Sequence, residues 1–554
     1  MKTLSHTEIF VNNIKTSKLE KQMPFSLLNK IVTWSFFILG IFSILQILIF
    51  PSLNTVVAVT VVVLSHLILN TFVLKSNVLR LNPISSFVII GFFVTQLFFP
   101  LVFSLIEYKP ITFNLLLPNE VFVHSILILS TIILSHIIYR NGFSKFSIPI
   151  RFFLKRKHFY SPPTDSQLWV MGWIGLIGMF YIHFFTDVND EMTSNIWLKF
   201  IQGLIPFTYA PYFILVGNLY GRKNTKMEGI LYKILTFTLV LFIVSIGSNI
   251  RSAFMLGFTS VGFSMFLGMM LGVLRPKVIT PRNVFLGVFA LWFFTGPVAD
   301  LGKAMVVARA SKSSFTSKFD FVYYTYDIYV RDNLYPEKSS NVISSKFEWD
   351  EYYMDNIFLA KFCNLKFNDS SLLDAETLST DNSVIYNYTI DRALAILPSP
   401  LLQILSVDID KSALNIGSFG DFMYFKSGRG NSNSIGGKRT GHLAGSSMAA
   451  FGWWYLFILL IGMIPVYILL DTFITYPKHY ISPDKYIISK LPQFSLCILI
   501  VITSVFQFLP GESITLISNF LFRGWIQTIF LYFVMYNVSL FLVRFFPKTG
   551  HIST

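Results

Sequence analysis

Residues 31–50 read IVTWSFFILGIFSILQILIF, without one charged side chain. A helix of that length is about 30 Å long, the thickness of a bilayer's hydrocarbon core. Comparable runs lie near 55–74, 84–106, 121–139, 168–185, 197–217, 229–247, 252–274, 283–299, 449–470, 492–510 and 521–543. Together they predict an all-α polytopic membrane protein with about twelve transmembrane helices.

Composition agrees with that reading. Of the 554 residues 53% are hydrophobic and 13% charged, about half the charge of a soluble chain. A cytosolic enzyme, a secreted disulfide scaffold and a disordered chain are excluded. Cys363 and Cys497 are too few and too differently placed for a disulfide framework. The first apolar run is too long for the core of a signal peptide, so no cleaved leader is expected.

The net charge of +15 would suggest nucleic acid on a soluble protein. Here the cations alternate between connections. Arg140, Lys145, Arg151, Lys155, Arg156 and Lys157 crowd one connection, and Arg222, Lys223 and Lys226 another. The intervening short connections keep Lys109 and Arg251 but carry Glu107, Glu120, Asp187, Asp190, Glu191 and Glu512. Because Lys and Arg stay on the cytoplasmic side, both termini are expected to be cytoplasmic and no nucleic acid is expected as partner. The chain then divides into residues 1–299 with nine spans, a large extracytoplasmic loop at 300–448, and residues 449–554 with the last three spans. A loop that long usually carries function, and mostly helical and irregular structure is expected in it.

Two features carry candidate chemistry. Arg251 sits in Gly247-Ser248-Asn249-Ile250-Arg251-Ser252, a turn too short to clear the membrane, where a cation opposes the orientation rule. Lys199 and Arg523 lie near the same ends of their spans, where they could snorkel or bind. The second feature closes the long loop. Nine of the chain's 31 glycines fall within 417–452, around Lys426, Arg429, Gly436, Gly437, Lys438, Arg439 and His442. Glycine lets successive N–H groups cradle an anion, and Arg can grip a phosphate with two parallel hydrogen bonds. His442 or an aspartate such as Asp421 is the candidate proton acceptor. Trp349 and the tyrosines of 323–326 and 352–353 could stack on sugars or simply pack. No metal-ligand cluster, nucleophile elbow or nucleotide fingerprint is present, so neither a metal nor a cofactor is expected.

Late placement of the one large loop, the arginine turn opening a span, and the glycine-rich lead into Ala449-Ala450-Phe451-Gly452-Trp453-Trp454 resemble the Wzy-type family of bacterial polysaccharide repeat-unit polymerases. The resemblance implies a GT-C-like helical fold in the bacterial plasma membrane. It implies metal-independent transfer of a glycan from undecaprenyl pyrophosphate to a lipid-linked oligosaccharide repeat unit, making O-antigen, capsule or exopolysaccharide. Arg251, with Arg429, Lys438 or Arg439, would stabilise the pyrophosphate, and His442 or an aspartate would take the acceptor's proton. A flippase and a chain-length regulator are the implied protein partners. An O-antigen ligase-type transferase and a lipid-linked oligosaccharide flippase or other transporter stay open as alternatives.

Overall fold

The computed structural model describes residues 26–186, 196–222, 229–248, 253–274, 285, 289, 292–309, 318–331, 349–378, 383–414, 416–482, 485–488, 491–509, 511 and 513–545. Among these, ten helices are long and apolar enough to cross a membrane. They are Leu27–Ile49, Leu53–Phe72, Pro83–Ile106, Pro118–Arg156, Asp165–Phe185, Trp197–Tyr220, Ile230–Gly247, Ala253–Met270, Leu443–Phe473 and Thr515–Phe545. The chain is a membrane-embedded helical protein. Exposed Trp34, Phe37, Leu48, Leu53 and Ile177 coat the bundle with apolar surface that only lipid would tolerate.

Two expected spans are not seen as single long helices. Residues 283, 284, 286–288, 290 and 291 of the expected span 283–299 lie outside the described residues. The run at 492–510 is two five-residue helices, Leu496–Ile500 and Ile502–Phe506, broken at Val501 with φ −103° and ψ 16°. Both pieces are buried on nearly every side, so this run is the bundle's core. An apolar run buried among helices and one facing lipid read alike in sequence. Strict all-α character also fails in a small way: Ile474–Thr475 pairs with Gln493–Phe494, and Lys478–Ser482 with Lys485–Ile488.

Connections sort to two ends. At one, Gln493 donates to the carbonyls of Tyr160 (2.9 Å) and Tyr220 (3.0 Å), and Ser495 to Phe159 (2.6 Å). Nearby, fully buried Asp471 accepts from Asn82 (3.2 Å), the Ser85 hydroxyl (2.7 Å) and Tyr139 (3.0 Å). The described parts of the cation-rich connections therefore share this end.

The opposite end carries a helical cap drawn from the 300–448 segment. Its described helices include Pro297–Arg309, Lys318–Val330, Leu365–Thr377, Ser383–Ala395 and Phe419–Lys426. The cap is clamped to the connection at 107–117. Glu107 accepts the N–H groups of Asp355 and Asn356 (both 2.8 Å), and Lys109 pairs with Asp355 at 2.9 Å. Asp369 accepts the N–H groups of Leu116 and Leu117 (both 2.8 Å) while pairing with Lys366 at 3.0 Å. A π-helical turn at Val94–Phe98 supplies a further anchor, since the Asn364 N–H donates to the Thr95 carbonyl at 3.2 Å. Such turns displace carbonyls from the regular ladder and recur at functional positions.

Candidate functional site

The seam between cap and bundle is built on two helices, Leu365–Thr377 and Leu443–Phe451. They touch at Gly445: a Cβ there would lie 2.1 Å from the Ser371 carbonyl carbon, so only glycine permits the approach. Ser371 also donates to the His442 carbonyl at 3.2 Å. Around this crossing the 365–377 helix buries Asn368, Asp369, Ser370, Ser371 and Asp374, a density of buried polar groups unusual for a surface helix.

His442 caps the 443–451 helix and is buried. Its Nδ1 accepts the Ala444 N–H at 3.2 Å, which places the proton on Nε2. Nε2 stands 2.7 Å from the Gln96 carboxamide of the π-helical turn. A carboxamide oxygen at that position satisfies the imidazole, and whichever way the amide is turned, one of its polar atoms keeps no partner. Burial, followed by His124, pushes the imidazole down to about 3, so it is neutral at physiological pH. Asn368 donates to Ser125 at 3.3 Å, and His124 stacks on Trp453 with centroids 4.9 Å apart.

Above the seam lies the glycine-rich turn, and it has already captured an anion. Asp421 accepts the backbone N–H groups of Gly436 (3.2 Å), Lys438 (2.9 Å) and Arg439 (3.1 Å), and that of Ser418 (3.2 Å). The Arg439 guanidinium adds a further bond at 3.2 Å. Gly436 (φ +95°) and Lys438 (φ +58°) take the left-handed backbone that folds these amides inward. Burial would raise the Asp421 carboxyl, but the donated N–H groups of Arg439, Ser418 and Lys438 hold it below the usual range. The expected nest exists, with the protein's own carboxylate as its anion. Asp421 is thereby the organiser of the turn, with both oxygens occupied.

The basic residues of the turn divide accordingly. Arg429 pairs with buried Asp374 at 2.7 Å and lies 5.4 Å from the Tyr424 ring centroid. Arg439 bonds Ser434's carbonyl at 2.7 Å and sits over Tyr424 (4.6 Å) and Trp349 (5.8 Å). Gly437 is engaged within the turn through Ser434. Lys438 is exposed and forms no ion pair among the described residues. Asp374 accepts from Ser427 (3.1 Å) and Arg429 through Oδ1, while its buried Oδ2 has no partner among the described residues. Burial pushes this carboxyl up to about 6 against the pull of Arg429.

Arg251 falls outside the described residues. Lys199 is exposed on the helix Ile196–Leu204 and Arg523 in the turn Phe520–Gly524, and the Lys411 ammonium is pushed down by burial and then by Arg523 and Lys199. Thus Asp421, Arg429, Gly436, Gly437, Lys438, Arg439 and His442 form one connected unit, and among the described residues no hydrogen bond or ion pair joins Lys199 or Arg523 to it. Reading from sequence missed Gln96, Asn368 and Asp374. Gln96, the lone amide in an apolar span, carried a usable signal. Asp374 did not, because nothing local distinguishes it from a solvated helix face. Among the described residues no group of three His, Cys, Asp or Glu could hold a metal, and both cysteines are free and buried. No protein-family model, no curated protein and no solved structure matches the chain.

Proposed function

We propose that this chain is a membrane glycosyltransferase of the repeat-unit polymerase kind, with a GT-C-like bundle whose cap faces outward from a bacterial plasma membrane. Its substrates are undecaprenyl-pyrophosphate-linked oligosaccharides. The observation that favours this is the seam itself. Buried polar atoms of Gln96, Asn368 (Oδ1), Asp374 (Oδ2) and Ser447 (Oγ), without a hydrogen-bond partner among the described residues, line the junction of cap and spans. Buried polar atoms are normally satisfied, so a polar ligand entering at the membrane boundary would complete them.

Chemistry follows from the same groups. An acceptor hydroxyl attacks the anomeric carbon of the donor glycan, the bond to pyrophosphate breaks, and the hydroxyl proton passes to a base. Asp374 suits that task better than Asp421, having a free oxygen and a pKa about 6, close to the working pH. His442, neutral and held by Gln96, would orient a sugar hydroxyl or receive the proton. Lys438 and Arg251 would meet the developing pyrophosphate charge, while Arg429 and Arg439, already neutralised, pack over the buried Tyr424 ring and brace the turn. A strain lacking the chain should accumulate single repeat units on the lipid carrier. Full-length polymer in that strain would remove the reading.

A further inference from the structure

A polar segment standing in water should keep most of its large apolar side chains covered. The cap helix Ser383–Ala395 does so on one face only. There Ile385 joins Phe419, Ala449 and Ala450 in one apolar cluster, and Tyr388 stacks on Phe422 with ring centroids 3.6 Å apart. The exposed face carries Val384 and Tyr386. After Pro398 the chain enters the helix Ser399–Ile404, which buried Leu402 fixes to the protein. Leu401 (45% exposed), Ile404 (76%) and Leu405 (56%) make an i, i+3, i+4 stripe on its outer side, the pattern that in a soluble helix faces the core. A left-handed turn at Ser406 ends the stripe, and the next exposed side chain after it is the charged Asp408.

What covers this surface follows from what it adjoins. The helix 383–395 packs on Leu443–Phe451 and on Thr515–Asn519, the first turns of two membrane-spanning helices. Tyr386 meets Phe451 edge to face, with ring centroids 5.5 Å apart. Three residues further on, exposed Trp454 lies 6.2 Å from Phe457, and Phe457, Ile458 and Ile461 continue as the exposed apolar side of the same span. The lipid-facing surface of that span thus leads, through Trp454 and Phe451, to Tyr386. Indole rings favour the head-group level, so exposed Trp453 and Trp454 mark the interface, and the helix 383–395 rests beside it. The three residues 396–398 let the second helix begin no more than about 14 Å from the end of the first. An apolar stripe at that level, flanked by polar residues, fits the boundary between head groups and acyl chains.

We propose that residues 383–405 anchor the cap to the bilayer surface, with Tyr386 at the head groups and Leu401, Ile404 and Leu405 inserted into the leaflet at the cap end. The partner is the lipid surface itself, whatever ligand enters the seam. Both native cysteines are buried, so Ile404→Cys and Asn433→Cys each give the full chain one exposed site for a nitroxide. The labelled chains are reconstituted in vesicles of phosphatidylcholine and phosphatidylglycerol. Power saturation with oxygen, which concentrates in lipid, and with a water-soluble nickel chelate then reads the depth of each label. The nitroxide at 404 is expected to favour oxygen and to lie about 5–10 Å below the phosphates, while the one at 433, on the glycine-rich turn, favours nickel. If the Ile404→Cys protein does not fold, Leu401→Cys or Leu405→Cys reads the same contact from another exposed position. A label at 404 as open to nickel as the one at 433 would overturn the anchor by placing the stripe in water. Shielding from both reagents would overturn it too, by showing that another protein segment or a second copy of the chain covers the stripe.

Discussion

The guanidinium of Arg429 lies 2.7 Å from the carboxylate of Asp374, with the two side chains only 4% and 1% exposed. An ion pair so fully withdrawn from water is strongly asymmetric in its mutants. Removing one partner leaves an uncompensated buried charge and costs about 3–5 kcal/mol, whereas replacing both with apolar or neutral groups is often close to neutral. Arg429→Met should therefore lower the cap's thermal stability in detergent, and R429M/D374N should recover most of the loss. Additive losses in the double variant would show that the pair is not coupled.

Asp374 also sets a pH dependence. Its folded pKa of about 6 lies above the ordinary carboxylate value of 3.8, so the folded cap holds the proton more tightly than the unfolded chain. Stability from this group is thus full below the unfolded value, declines as pH rises, and has been lost once pH passes about 6. Hydrogen exchange across 427–430 should quicken between pH 4 and pH 6.5, beyond the intrinsic rise, and Asp374→Asn should remove that excess.

Asp421 works in the opposite direction. Its pKa is held below the usual value by donated N–H groups, so its contribution is present above that usual value and lost as pH falls through the folded one. Asp421→Ala should release the amides of Gly436, Lys438 and Arg439, each charge-assisted bond contributing about 1.5–3 kcal/mol. Loss of exchange protection at those three amides, with the 118–138 helix unchanged, is the expected pattern. Protection that survives would mean the turn is held by something other than Asp421.

Sidedness can be checked by labelling. A cysteine at Ser406, exposed on the cap, should react with an impermeant reagent in intact cells, and one at Lys145 should not. Reaction at Lys145 alone would invert the orientation and place the seam on the cytoplasmic side.

Much of this architecture is legible in the sequence because burial in lipid imposes a coarse rule. Uncharged runs of about twenty residues can hardly do anything but span, so residues 31–50 and 55–74 could be placed from composition alone. In the run at 492–510 the apolar stretch was legible and its break was not, because burial among helices lets two short helices meet at Val501. At the site, the glycine-rich turn was recognisable as an anion nest from its glycines and cations. What sequence could not supply was the identity of that anion, since Asp421 is fifteen or more residues from the amides of Gly436, Lys438 and Arg439. Asp374 and Asn368 were illegible for a related reason. Their helix carries Leu365, Leu372 and Leu373 on one face and reads as solvated on the other, and its close crossing at Gly445 buries the polar side as well.

The most direct test of polymerase activity uses the purified chain in lipid with undecaprenyl-pyrophosphate-linked repeat units, scored as a ladder of chain lengths. The unaltered chain should build the ladder, and Arg222→Ala should too, because Arg222 is paired with Asp165 at the other end of the bundle. Asp374→Asn and Arg251→Ala should each slow elongation about a hundredfold, the effect of losing about 3 kcal/mol of transition-state stabilisation. No ladder from the unaltered chain, or one that Asp374→Asn and Arg251→Ala leave at full length, would contradict a glycosyl-transfer site at the seam.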